Sequence, residues 1–168
     1  MSWTPTYRTV RTSKIADNLL AYFELHQAEA IVWAHGSALK SISHFSNSVA
    51  NRAVPIFPSI AFVSDAEAQV HVDDMVSAAY SLTFELLVQN QSPALAVTQA
   101  RSYTAAILSM IRNCPPATAA ANTYTDAAVT VLESLETEFA EIRTNDLQND
   151  FLQAVQIRAI YRATAPAY

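Results

Sequence analysis

Residues 79–113 constrain the fold of this chain more than any other stretch. Tyr80, Leu82, Phe84, Leu86 and Val88 alternate with Ser81, Thr83, Glu85, Leu87 and Gln89. Period two gives a half-buried strand one fully apolar face and one mixed face. Gln89-Asn90-Gln91-Ser92-Pro93 then breaks the strand. Ser92 suits a helix N-cap and Pro93 a first helical turn. Ala96, Ala100, Tyr103, Ile107 and Met110/Ile111 recur at helical spacing until Asn113-Cys114-Pro115-Pro116 ends the helix. A strand therefore feeds an amphipathic helix through a turn without glycine. Such a junction builds a scaffold but has no phosphate-cradling loop.

The other elements arrange themselves around this block. Residues 1–12 read as an extended arm. Ser13 is placed to cap a helix on which Ile15, Leu19, Tyr22 and Phe23 form one stripe, and Leu25 to Trp33 continues apolar. Residues 35–53 hold the single glycine, Gly36, with many Ser and Asn, and read as a long loop. Ser59-Ile60-Ala61-Phe62-Val63 reads as a second strand, and residues 64–74 as a solvated connection. Residues 115–126 read as another loop. Val129, Leu132, Leu135, Phe139 and Ile142 fit a helix, but Val129-Thr130-Val131 and Thr137 favour a strand, and a strand is expected over 128–142. Val155, Ile157, Ala159 and Tyr161 alternate with Gln156, Arg158, Ile160 and Arg162 in a last strand that ends at Thr164-Ala165-Pro166. The expected fold is α+β: a largely antiparallel sheet of about four strands with two main helices packed on one face. Residues 13–163 form its single domain, between the arm and a tail of residues 164–168.

Composition narrows the function. The chain has 168 residues, of which 51% are hydrophobic, enough for one domain with a real core. A net charge of −5 argues against nonspecific nucleic-acid binding, which needs Lys and Arg to neutralise phosphates. A single cysteine, Cys114, excludes an intrachain disulfide. Met1 to Tyr7 lack the apolar core of a signal peptide, and no run approaches the length of a membrane span. These features read as a soluble protein, cytoplasmic when made.

One glycine excludes a Walker loop, a dinucleotide fingerprint and a Gly-x-Ser-x-Gly nucleophile elbow, each of which needs several. His26, His35 and His44 stand nine residues apart, two and a half helical turns, so neighbours on one helix would face opposite ways. They and His71 are read as ordinary surface or interface residues. Cys114 sits at a helix C-terminus, where the dipole disfavours a thiolate. Tyr103, Ile107 and Met110 are read as core. Glu133, Glu136, Glu138 and Glu141 crowd together without a partner histidine nearby in sequence, so they are read as a solvated acidic surface. On a strand, Glu136, Glu138 and Ala140 share one face, with Glu133 and Glu141 on the other. Arg158 and Arg162 either pair with the acidic stripe of a neighbour or stand as solvated edge charges that blunt aggregation. No catalytic, cofactor or metal site is expected.

The order of elements resembles that of tail terminator proteins, the ring-forming neck proteins of long-tailed bacteriophages. Residues 57–63, 79–88, the helix from Pro93 to Asn113 and residues 154–162 carry the resemblance, which spans residues 13–163. It implies a structural, non-enzymatic virion protein at the head–tail junction, assembled in the host cytoplasm. Such proteins form rings, commonly hexamers, that cap the tail tube and meet the head–tail connector or stopper. The resemblance implies no membrane and no sequence-specific nucleic acid as partners, and a net negative ring avoids trapping DNA in its channel. Glu136 and Glu138 on one subunit and Arg158 and Arg162 on another are the expected contact of such a ring, in which a head-to-tail rotation must close. Two other readings compete: another head–tail joining protein (a stopper or a tail completion protein), and a small oligomeric enzyme or ligand-binding module.

Overall fold

A computed structural model describes residues 14–46, 56–119, 129–145 and 150–166. In chain order the elements are α1 (Lys14–His35), β1 (His44–Ser46), β2 (Ser59–Val72), β3 (Met75–Asn90), α2 (Pro93–Asn113), the single turn α3 (Pro116–Ala119), β4 (Val129–Phe139), β5 (Arg143–Asn145) and β6 (Asp150–Pro166). The sheet runs β1-β2-β3-β6-β4, and β5 follows β4 along the same flank of β6. Every pairing is antiparallel except β1 with β2. The expected α+β architecture is therefore observed, with six strands rather than four. The two extra strands are the three-residue β1 and β5.

β3 lies between β2 and β6, and its alternation sets the core. From Val76 to Val88 every second residue is buried, with half-buried residues between. β6 answers with buried Val155, Ile157, Ala159, Tyr161 and Ala163. Both helices cover this face. α1 brings Ile15, Leu19, Phe23 and Ile31, and α2 brings Ala96, Ala100, Tyr103, Ile107 and Ile111. Phe84 meets Phe23 of α1 edge-on, ring centres 5.8 Å apart, and Phe62 of β2 at 5.9 Å.

The cap read from sequence forms. Ser92 is extended and accepts a hydrogen bond from the Leu95 amide, with Pro93 opening the helix. α1 runs to His35, and Gly36, at φ +80°, closes it by donating its amide to the Val32 carbonyl. The first part of the expected 35–53 loop is tied down. Gln27 brackets the backbone of Ile42 from both sides, and Tyr103 donates to the Lys40 carbonyl. β1 follows, and residues 47–55 lie outside the described part. So do the arm at 1–12, the expected cap Ser13 and residues 120–126 of the second loop.

Two expectations need correction. Residues 64–74 are not a connection: β2 continues to Val72, turns at Asp73-Asp74, and β3 starts at Met75. The polar run Ser64-Asp65-Ala66-Glu67 masked this strand, because neither of its faces is consistently apolar. The last strand runs to Pro166, ending at Thr164-Ala165-Pro166 as read from the sequence. Finally, β4 is a strand as expected, but its register shifts between Leu132 and Ser134. The extra residue at Glu133 changes which acids share a face, as described next.

Candidate subunit interface

The helices cover one face of the sheet. The other face has no covering element among the described residues, and it carries the charged residues singled out from the sequence. The ladder sets Glu136 opposite Arg158 and Glu138 opposite Gln156. Arg158 stands in turn opposite Thr83 of β3, and Arg162 opposite Ala79. Because period two puts Arg158 and Arg162 on the side away from buried Ile157, Ala159 and Tyr161, all four expected interface residues lie on the open face.

Within one chain these groups already pair. The Arg158 guanidinium is 3.8 Å from the Glu136 carboxylate, and its Nε donates to Ser81 Oγ at 2.8 Å. Arg162 Nε donates to Glu133 Oε1 at 2.5 Å. Strict alternation would place Glu133 on the helix side, opposite to Glu136. The bulge turns it to the open side, where Arg162 meets it. Both pairs are about half exposed, with side-chain exposures of 51% and 60% for Arg158 and Glu136 and 52% and 36% for Arg162 and Glu133. Exposed pairs contribute about 0–1 kcal/mol each, so they orient β4 on β6 more than they stabilise the fold.

A shallow trough of about 630 Å³ runs across this face between β2 and β4, lined by Ser64, Ala66, Ser81, Thr83, Glu136, Glu138 and Arg158 among others. Its lining is small on the β2–β3 side and charged or polar on the β6–β4 side. Beside it, Glu138 and Arg143 share a second hollow with Glu85 and Gln156. Neither contains a histidine or a cysteine. Among the described residues no group of three or more His, Cys, Asp or Glu is placed to hold a metal ion.

The remaining candidates fall into structural roles. His35 Nδ1 is 2.9 Å from Ser102 Oγ and helps join α1 to α2, while His26 packs on Tyr22 with ring centres 4.3 Å apart. Tyr103, Ile107 and Met110 are buried. Cys114 is buried at the end of α2, and burial pushes its thiol up to about 11, against partial relief from the Ala119 backbone. A thiol so displaced is a poor nucleophile at neutral pH. It lines a cavity of about 180 Å³ with Ile111, Val131, Leu132 and Tyr161, whose walls carry no carboxylate or imidazole. No helix among the described residues is long and apolar enough to cross a membrane.

Residues that sequence reasoning did not single out lie on the exposed apolar surface. On β2 and its turn into β3, Val70, Val72 and Met75 are exposed, and on β4 Val131 and Phe139 are. On α1, Leu25 and Trp33 are 76% and 70% exposed, on a helix whose opposite side is core. The apolar run Leu25 to Trp33 was visible, but only the packing tells which of its residues meet the sheet.

No family model matches the chain, and no curated protein matches it. Among solved structures, one chain described as "Virion of native gene transfer agent (GTA) particle" is similar over 90% of this chain and 98% of that chain, with a TM-score of 0.45 and 12% identity. At that score the overlay carries no argument about what this chain does.

Proposed function

We propose that this chain is a structural virion subunit, a ring-forming tail terminator that caps the tail tube and joins it to the head connector. The observation that supports this reading best is the sheet itself. Its three longest strands have 14, 16 and 17 residues, yet among the described residues only one face is covered. Strands in globular proteins usually have about 3–10 residues. A long sheet with one open polar face and exposed apolar residues along its outer strands is suited to assembly with other chains. The element order that carries the resemblance to tail terminators is the order observed, with β2, β3, α2 and β6 where residues 57–63, 79–88, 93–113 and 154–162 imply them.

In this reading Glu136 and Glu138 belong to the contact between subunits, because they lie on β4, an outer strand. Arg158 and Arg162 lie one strand further in and brace the acids of β4 from within the same subunit. The face that carries them adds Glu85, Glu133, Glu141 and Arg143, so among the described residues five acids stand against three arginines. Turned toward a channel, that surplus repels nucleic-acid phosphates and lets DNA pass without being held.

The test is the native mass of the purified protein, alone and with tail tubes, together with electron micrographs of the particles. A closed ring, free or seated on tube ends, is expected. A monomer or dimer that ignores tubes at every concentration overturns the proposal. Rings that bind head connectors and not tubes would instead favour a stopper or completion protein.

A further inference from the structure

We propose that the helix side of this protein is a two-fold docking face for a second copy, α1 of each copy lying over α2 of the other with Glu24 set against Arg112. The contact uses the side of the molecule away from the charged sheet face, and it does not rest on the ring reading. It starts from the outer sides of the two helices. On α1, Ala21, Leu25, Ala28 and Val32 recur at spacings of four and three residues. All four are exposed, Leu25 at 76% and Val32 at 47%. They lie on the side away from buried Ile15, Leu19, Phe23 and Ile31. On α2, Arg101, Ala105, Leu108 and Arg112 follow the same rhythm, with both arginines exposed and Ala105 and Leu108 half-buried. Apolar residues in this rhythm form the seam by which one helix packs on another.

Charge selects the occupant. Glu24 and Glu29 flank the α1 seam, while α2 carries Arg101 and Arg112 and no acid. None of these four is in an ion pair among the described residues. Lys14 and Asp17, at the start of α1, answer each other at 3.6 Å. Laying α1 on α1 would crowd the glutamates of both copies, and α2 on α2 their arginines, which like-charge repulsion disfavours. Laying α1 on α2 opposes unlike charges. A two-fold axis makes that contact twice, so a single self-complementary face serves both copies.

Heights along the helices agree with this pairing. Within one chain α1 and α2 run antiparallel. Asn18 donates to the Ala119 carbonyl at 2.9 Å, Tyr22 Oη to the Asn113 carbonyl at 3.4 Å, and His35 Nδ1 is 2.9 Å from Ser102 Oγ. Between these ties Glu24 stands at the height of Arg112, Ala28 at that of Leu108 and Val32 at that of Ala105. A two-fold axis along the helices keeps every residue at its height and lays α1 antiparallel on the second copy's α2. Ala28 then makes room for Leu108, and Ala105 for Val32. Leu25 packs on the aliphatic stem of Arg112 while Glu24 meets its guanidinium. The helices have 22 and 21 residues, so each is about 30 Å long. Side by side, about 9 Å apart, they offer roughly 600 Å² per copy. A total of about 1,200 Å² is at the lower limit of a specific interface and fits a reversible pairing rather than an obligate one.

The experiment is sedimentation velocity of the full chain over a concentration series, with wild type, Glu24→Arg, Arg112→Glu and an equimolar mixture of the two variants. Wild type should pair reversibly, as monomers or, where rings form, as rings. Each single variant sets like charges against each other at both contacts and should weaken pairing by about tenfold or more. In the mixture each copy supplies the charge that the other copy now needs, so pairing should return to the wild-type range. Both side chains are exposed, and circular dichroism should show the same fold throughout. Wild type that stays unpaired up to about 1 mM overturns the inference. So do single variants that pair like wild type, and a mixture that pairs no better than they do. Rings that form without pairing overturn this contact and leave the ring reading standing. Paired monomers that form no ring, alone or with tail tubes, uphold the contact when the mixture restores it, and overturn the ring reading instead.

Discussion

Phe84 should be the most costly single truncation in this protein. Its side chain is fully buried where β3, β2 and α1 meet, edge-on to Phe23 and beside Phe62. Phe84→Ala removes an aromatic ring that buries about 150–250 Å², which at about 25 cal/mol per Å² corresponds to roughly 4–6 kcal/mol for the whole side chain. The alanine retains its Cβ and the site relaxes in part, so the expected loss is about 3–5 kcal/mol. Against a total stability of about 5–15 kcal/mol this leaves little margin, and the variant should unfold at far lower denaturant. Phe84→Leu keeps most of the volume and should lose about 1–2 kcal/mol, reflecting the missing ring contacts. The assay is equilibrium urea unfolding followed by circular dichroism, at protein concentrations low enough to exclude assembly, since assembly stabilises by mass action. A double-mutant cycle with Phe23→Leu should return a coupling of about 0.5–1.5 kcal/mol for the edge-on pair. A loss below about 1 kcal/mol for Phe84→Ala would refute the packing of α1 on the centre of the sheet, because a collapsing surface site is the usual explanation for so small a cost.

Three further outcomes are expected. Ser92→Ala removes the side chain that accepts from the Leu95 amide and should cost about 0.5–1 kcal/mol in urea unfolding, with Ser92→Asp close to wild type. Asp73 holds φ +52° at the β2–β3 turn, so Asp73→Val should cost about 1 kcal/mol or more while Asp73→Gly is tolerated; equal stability of the two would show that the turn relaxes. Burial raises the Cys114 thiol from 9.0 to about 11. The fold thus favours the neutral thiol, and this contribution is fully present below pH 9 and lost as pH rises toward 11. Cys114→Ala should therefore show a flatter fall in stability over pH 9–11 than the wild type. In the wild type at pH 8, alkylation should be much slower in the native state than in urea.

The strand–turn–helix block was legible because its signals agree. Period two over 80–88, a capping serine with proline behind it, and helical spacing to Ile111 all point to one local structure, and burial repeats the same pattern. The far half of β2 was not legible. Ser64 to Val72 alternates small and polar residues without a strong apolar face, and every side chain described in this stretch is exposed. Its strand is specified by pairing with β3, which the sequence of β2 alone does not express. The two faces of β4 were misjudged at one residue for a similar reason. Alternation predicts Glu133 opposite to Glu136, and only the bulge, set by register against β6, brings Glu133 to Arg162.

The expected interface shows the same division. Glu136, Glu138, Arg158 and Arg162 were recognisable as charges on strands, and parity alone put each arginine away from the core. That Arg158 and Arg162 already answer acids of their own chain depends on β6 lying next to β4, a long-range pairing. By itself the sequence determined the class of fold, the central strand and helix, the buried stripe and the absence of glycine-rich binding loops, because periodicity, caps and composition act over a few residues. Only the tertiary structure decided the strand order, the bulged register and the face left uncovered among the described residues. Those depend on which strands find each other across the chain, and local sequence does not encode that choice.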